Sequence, residues 1–166
     1  MIGETPLGGF RFIVSLDPSD AHLPPAQALL VPLVAAGGFQ ECRGLSADLE
    51  VLAHPEGGLN DYVHQLPVRH TWGRISLKRG LVRDQAMWGW YQAGLRRSLG
   101  ARRDGAVIAL NEAGLPAMAW TFRGGLAVKW SGPEFAALNA AVAVEGLEIA
   151  HQGIEQIVLL PPLPGL

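Results

Sequence analysis

The sequence predicts a mostly β protein: a single antiparallel β-barrel or sandwich of about seven strands with one packed α-helix. Three observations carry that expectation. Glycine and proline number 21 and 12 among 166 residues, against about 12 and 8 at average usage, and they are spread along the chain. Short runs of alternating apolar and polar residues recur between those breaks. The runs lie too close together for helical crossovers, and one segment alone carries a helical stripe. A chain of this length is expected to form one domain over residues 1–166, burying about 70% of its unfolded surface.

Phe10 to Leu16 alternates, with Phe10, Phe12, Val14 and Leu16 on one face and Arg11 and Ser15 on the other. This is the pattern of a half-buried strand. Residues 17–38 form a Pro/Ala-rich insertion, in which Pro18, Pro24, Pro25 and Pro32 prevent a long helix or a central strand. Phe39–Arg43 and Ala47–Ala53 read as two short strands around Gly44, followed by a loop from His54 to Asp61. Its Gly57-Gly58 pair permits backbone angles closed to other residues. Tyr62–Leu66 is expected to extend away from the body before Pro67, and Trp72–Lys78 alternates as the next strand.

The helix is expected to start at Asp84, a good N-cap, and to run to about Leu95. Met87, Trp88, Tyr91 and Leu95 form its apolar stripe, read as a packing face, and Arg96 and Arg97 suit its negative pole. Gly89 and Gly94 each weaken it by about 1 kcal/mol relative to Ala. Val107–Asn111 and Ala117–Phe122 bracket Glu112-Ala113-Gly114 as a hairpin, and Leu126–Ser131 is a further strand ended by Gly132-Pro133. Glu134–Asn139 reads as one helical turn and Ala141–Ala150 as the last long strand. Residues 155–166 are expected to be a Pro-rich C-terminal extension.

Hydrophobic residues make up 49% of the chain, with five Trp. An apolar share of this size suits a surface that neighbouring copies bury in part. The longest apolar stretch, Ala28 to Phe39, contains Pro32, Gly37 and Gly38 and falls short of the ~20 residues of a membrane span. Met1-Ile2-Gly3-Glu4 lacks the basic start of a secretory signal, and a lone Cys42 suits a reducing cytoplasm. Charge is segregated along the chain. Residues 1–68 carry eight acids and two bases, 69–103 nine bases and one acid, and 104–166 six acids and two bases. Opposite signs on different faces suit head-to-tail association.

No catalytic spacing occurs: there is no Gly-x-Ser-x-Gly elbow, His-Glu-x-x-His pair, Walker loop or Gly-x-Gly-x-x-Gly turn. His22, His54, His64, His70 and His151 are scattered, so no metal or other cofactor is expected. Cys42 has no histidine base in its local sequence and reads as a small buried residue. Glu145 and Glu148 fall on opposite faces of a regular strand and make a poor acid/base pair. The basic block from Arg69 to Arg103, with Trp72, Trp88, Trp90 and Tyr91 nearby, raises nucleic-acid binding. The acidic flanks and the packing role of Trp88 and Tyr91 argue against it. The chain therefore reads as a building block and not an enzyme.

Six stretches occur in one order: Phe39 to Leu45, Pro55 to Gly58, Ile75 to Gly80, Arg102 to Gly105, Val128 to Pro133 and Glu145 to His151. With Leu66-Pro67-Val68-Arg69 and the helix residues Trp88 and Trp90, this series resembles the tail tube proteins of contractile injection systems and contractile-tailed phages. The resemblance covers roughly Phe10 to Ile154. It implies a barrel whose copies close into hexameric rings, stacked as the inner tube within a contractile sheath. The implied partners are the chain itself, a sheath protein, baseplate or hub proteins, tube-terminating proteins and a cargo in the lumen, with no membrane insertion. Assembly in the cytoplasm, then an intracellular or released particle, is the implied location. The implied subunit and ring interface takes in Glu56, Gly57, Gly58, Tyr62, Arg69, Lys78, Arg79, Trp88, Arg102 and Arg103. Glu56 is expected to meet Arg69, Lys78 or Arg79 of another subunit. Two alternatives stand beside this reading: a tube-initiating paralogue at the baseplate, and a small ligand- or nucleic-acid-binding β-barrel.

Overall fold

The computed structural model describes residues 7–9, 11–16, 38–58, 60–97, 102–138 and 141–159. Phe10 and, apart from Gly38, the insertion at 17–38 lie outside them. The strands are β1 (Phe12–Leu16), β2 (Phe39–Arg43), β3 (Ala47–His54), β4 (His64–Trp72), β5 (Ile75–Gly80), β6 (Arg103–Leu110), β7 (Pro116–Ser131), β8 (Val144–Ala150) and β9 (Ile154–Val158). Among the described residues one helix, α1 (Ala86–Arg97), follows β5.

Seven strands form one antiparallel sheet in the order β1-β6-β7-β8-β5-β2, with β9 added against β7. β7 is long enough to serve two neighbourhoods. Met118–Phe122 pairs with β9 and with β6, while Leu126–Ser131 pairs with β8. The sequence pattern divides this stretch at Gly124-Gly125; the chain instead passes through the glycines as one strand. Among the described residues β1 and β2 touch but share no ladder, which leaves a seam between them.

Inside the curl pack Val14, Ile75, Leu77, Val107, Phe122, Leu147 and Ile149, with Met87 and Trp90 of the helix closing one side. Full burial of an aliphatic side chain of this size contributes about 1.5–3 kcal/mol. The opposite face of β1-β6-β7 is also covered, around Ala106, Ile108 and Ala119 with Ile13, Leu110 and Leu159. That second layer corrects the reading of Ser15 as a solvent-facing residue, because Ser15 is buried.

Asp84 Oδ1 accepts the Ala86 N–H at 2.9 Å, so the helix does start at the predicted cap. Its buried stripe is displaced from the predicted one. Trp90 is 2% exposed, whereas Trp88 is 38% and Leu95 66% exposed. Contact runs through Met87, Trp90, Tyr91 and Gly94. Gly94 lies over β7, where an added Cβ would stand 3.7 Å from the Ala127 carbonyl. The glycine read as a weak point marks the contact line.

Three further corrections concern element bounds. The run from Trp72 to Lys78 is broken at Gly73 into β4 and β5. Glu134 to Leu138 holds a turn and no helix. β9 occupies the start of the expected C-terminal extension; its Ile154-Glu155-Gln156-Ile157-Val158 lacks the alternation that marks the other strands.

Candidate functional site

Among the described residues β3 and β4 pair only with each other, as an arm standing off the barrel. Alternation places Ala47, Leu49, Val51 and Ala53 on one face of β3 and Asp48, Glu50, Leu52 and His54 on the other. The register sets Leu49 opposite His70, Glu50 opposite Arg69, Val51 opposite Pro67 and Leu52 opposite Leu66. The shift between Glu50 and Val51 accommodates Pro67 and leaves Val68 out of register, so proline sits where a bulge interrupts the ladder. All of β3 is exposed, and Leu52 and Val68 are 56% and 55% exposed. An isolated two-stranded ribbon is marginal in water, and a paired ribbon with apolar residues on both faces is surface awaiting a cover.

The arm's root is tied to the barrel at one corner. Ser46 N–H donates to Gly44 O at 2.9 Å and Gly73 N–H to Ser46 O at 3.0 Å. From the turn after β8, His151 Nε2–H donates to Gly73 O at 2.8 Å, while Gly153 N–H donates to His151 Nδ1 at 3.3 Å. Both bonds require the neutral ring with its proton on Nε2. Burial lowers the His151 pKa from its ordinary 6.5, and the bond to the Gly73 carbonyl opposes that only in part.

The charges expected at a rim are arranged differently. Glu56 pairs with His64 at 3.0 Å, Arg69 with Glu50, and Lys78 with Glu41 at 3.2 Å, all within one chain. Arg79 is buried: its Nε donates to Glu145 Oε1 at 2.7 Å and its second nitrogen reaches Asp84 Oδ2 at 3.2 Å. This corrects the expectation that Arg79 offers charge to another subunit. Arg102 donates to Gly124 O at 3.0 Å, and Arg103 lies 5.7 Å from the Trp90 ring centre, so both part-buried side chains are engaged within their own chain. Trp88 packs edge-on to Trp130 at 4.7 Å on the outer surface of the helix.

Thus Glu56, Gly57, Gly58, Tyr62 and Arg69 are gathered on the arm, with Gly58 at φ +91° in its turn. Lys78 lies on the barrel face, and the remaining residues lie around the helix. Sequence reasoning missed the apolar residues of the arm itself: Leu49, Val51, Leu52, Leu66 and Val68. The signal was available in two adjacent alternating runs whose polar and apolar phases had no further strand to lie against.

On the outer face of β2-β5-β8-β7 lies an open groove of about 680 Å³. Glu41 there meets Lys78 and Arg43, and Glu148 meets Lys129 at 3.0 Å and Arg74 at 3.6 Å. Arg74 and Lys78 of the basic segment are thereby paired with acids of the flanking segments, Glu148 and Glu41. Among the described residues, no group of three or more His, Cys, Asp or Glu is placed to hold a metal ion, and no helix is long and apolar enough to cross a membrane. Burial raises the Cys42 thiol to about 11. Its alkylation at about pH 7 is expected to run roughly a hundredfold slower than that of a free thiol, measured by iodoacetamide labelling of the folded chain. A rate equal to that of the unfolded chain would contradict this.

Residues 8–155 match the family model described as T4-like virus tail tube protein gp19. No curated protein matches the chain. Among solved structures, a chain of the anti-feeding prophage (AFP) baseplate is similar at a TM-score of 0.75 and 27% identity, covering 94% of this chain and 98% of that one. A chain of the AFP tube-terminating cap gives 0.76 and 19% identity, over 96% and 95%. One from the PVC sheath–tube complex, an extracellular contractile injection system in its extended state, gives 0.73 and 18% identity, over 94% of each.

Proposed function

Since the chain belongs to the T4-like virus tail tube protein gp19 family, we propose that it is a structural subunit of the rigid inner tube of a contractile injection particle. Copies close into hexameric rings, and rings stack inside a sheath. The tube is capped by terminator proteins and seated on a baseplate, and the subunit performs no catalysis. Assembly takes place in the cytoplasm before the particle acts or is released.

The observation that carries this reading is the arm. A pair of strands bearing Leu49, Val51, Leu52, Leu66 and Val68 forms no ladder with any other strand among the described residues. A second copy is the natural cover, because a symmetric assembly gives every arm the same receiving surface. The seam between β1 and β2, which share no ladder among the described residues, adds edges for a neighbouring subunit. The groove's charges are already paired within the chain, which argues against nucleic acid as the partner.

A Val51→Asp/Val68→Asp variant tests the reading. It is expected to keep the native circular dichroism and melting temperature, since both sites are exposed, and to give only monomers by size exclusion and negative-stain microscopy. Tubes of unchanged length would refute the arm's role. A second reading is favoured by one observation: the AFP baseplate chain shares 27% identity, against 18–19% for the cap and sheath–tube chains. On that reading the chain is the ring that starts the tube, and the unaltered protein would form single rings that do not elongate.

A further inference from the structure

We propose that His151 is a proton-operated latch that holds the β3–β4 arm at a fixed angle to the barrel. The inference rests on the single chain's geometry and goes beyond the tube reading. Two connections join arm to body, one through Gly44 to Ser46 and one through Gly73. They are bonded to each other by Gly73 N–H to Ser46 O at 3.0 Å. His151 reaches this junction from the barrel, its Nε2–H donating to Gly73 O at 2.8 Å.

The far side of the ring is fixed too. Gly153 N–H donates to Nδ1 at 3.3 Å, and Gln152 N–H donates to Arg123 O at 2.9 Å, so the turn holding the imidazole is anchored on β7. Trp72 at the end of β4 and Phe122 of β7 flank the ring at 6.2 Å each. Protonation puts a hydrogen on Nδ1, facing the Gly153 N–H. Two donors then oppose each other, and the ring must turn or leave. Either movement takes the Gly73 bond with it.

The surroundings offer the imidazolium little compensation. On the arm the neighbouring titratable group is His70, stacked on Trp72 at 6.0 Å. Charges on the adjoining positions are already paired: Arg74 with Glu148, Arg123 with Glu155 and Arg69 with Glu50. Glu56 pairs with His64 at the arm's outer end. The sign follows from the lowered folded-state pKa. The latch contributes fully above the ordinary value of 6.5 and is lost as pH falls below it toward the folded-state value.

Hydrogen exchange of the full-length protein, held dilute as a single chain and corrected for intrinsic rates, tests the latch. Protection of peptides spanning Gly44 to Ser46 and Gly73 is expected to fall about tenfold between about pH 7.5 and about pH 5. His151→Gln can donate to Gly73 O and accept from Gly153 N–H without titrating, and its protection is expected to stay level over that range. His151→Leu makes neither bond and is expected to exchange fast at both values. His70→Gln should behave as the unaltered protein does. Wild-type protection indifferent to pH would overturn the proposal, as would an equal fall in the Gln variant. Neither result bears on whether copies form a tube, which the Val51→Asp/Val68→Asp variant decides.

Discussion

Arg79→Met is expected to destabilise the single chain by about 3–5 kcal/mol, the cost of removing one partner from a buried ion pair. Arg79 is 1% exposed and tied to three places. Its Nε holds Glu145 of β8 at 2.7 Å. Its two terminal nitrogens reach Asp84 Oδ2 at 3.2 Å and the Asp84 carbonyl at 3.3 Å. Asp84 also caps α1 through the Ala86 N–H. Without the guanidinium, the bond left to Glu145 among the described residues is that from Trp130 Nε1–H at 3.4 Å, and its buried charge loses its ion-pair partner. The cap residue loses its restraint at the same time.

The double variant Arg79→Met/Glu145→Leu separates charge from packing. Neither charge is left stranded, so it is expected to recover most of the loss, giving a coupling of roughly 2–3 kcal/mol in a double-mutant cycle of urea unfolding. Additive single effects would mean that the pair acts only through the volume of its side chains.

This pair shows what the sequence made legible. Ile75 and Leu77 face inward, and the two-residue period puts Arg79 in the same phase; Leu147 and Ile149 do the same for Glu145. The register then sets Arg79 opposite Glu145. Alternation by itself announced both buried charges. Reading the basic segment as a surface block hid them, because linear charge density cannot tell an inward arginine from an outward lysine. The strands, the hairpin before Gly114 and the capped helix followed from local chemistry. The passage of β7 through Gly124-Gly125 and the addition of β9 depend on long-range pairing that no short window contains.

The arm was half legible for the same reason. Its turn at Gly57-Gly58 and its extension before Pro67 were readable from glycine and proline, and so was the series of motifs shared with tail tube proteins. That its strands find no third partner among the described residues is a property of the whole sheet order. Which charges remain for a second subunit also depends on pairing across strands, as Glu41 with Lys78 and Glu50 with Arg69 demonstrate. Residue type nominates a rim; tertiary pairing decides what the rim still has to offer.

Gly44→Ala is expected to be the most damaging small substitution at the arm. Gly44 has φ +85°, where an L residue costs about 1–2 kcal/mol. A Cβ there would also lie 1.8 Å from the Arg74 carbonyl oxygen, so the start of β5 has to move. Arg74 follows Gly73, and Gly73 is the point where Ser46 and His151 bind the arm to the barrel. The total is expected to reach about 3 kcal/mol or more in urea unfolding, with faster amide exchange at Ser46 and Gly73. Gly58→Ala supplies the control. Its φ of +91° is comparable, but a Cβ there meets nothing within 4 Å, so the backbone penalty of about 1–2 kcal/mol stands alone. Equal losses at the two sites would show that backbone angle sets the requirement at Gly44. A larger loss at Gly44 locates it in the contact with β5, and makes that contact the joint through which strain at the arm's root reaches the core strands.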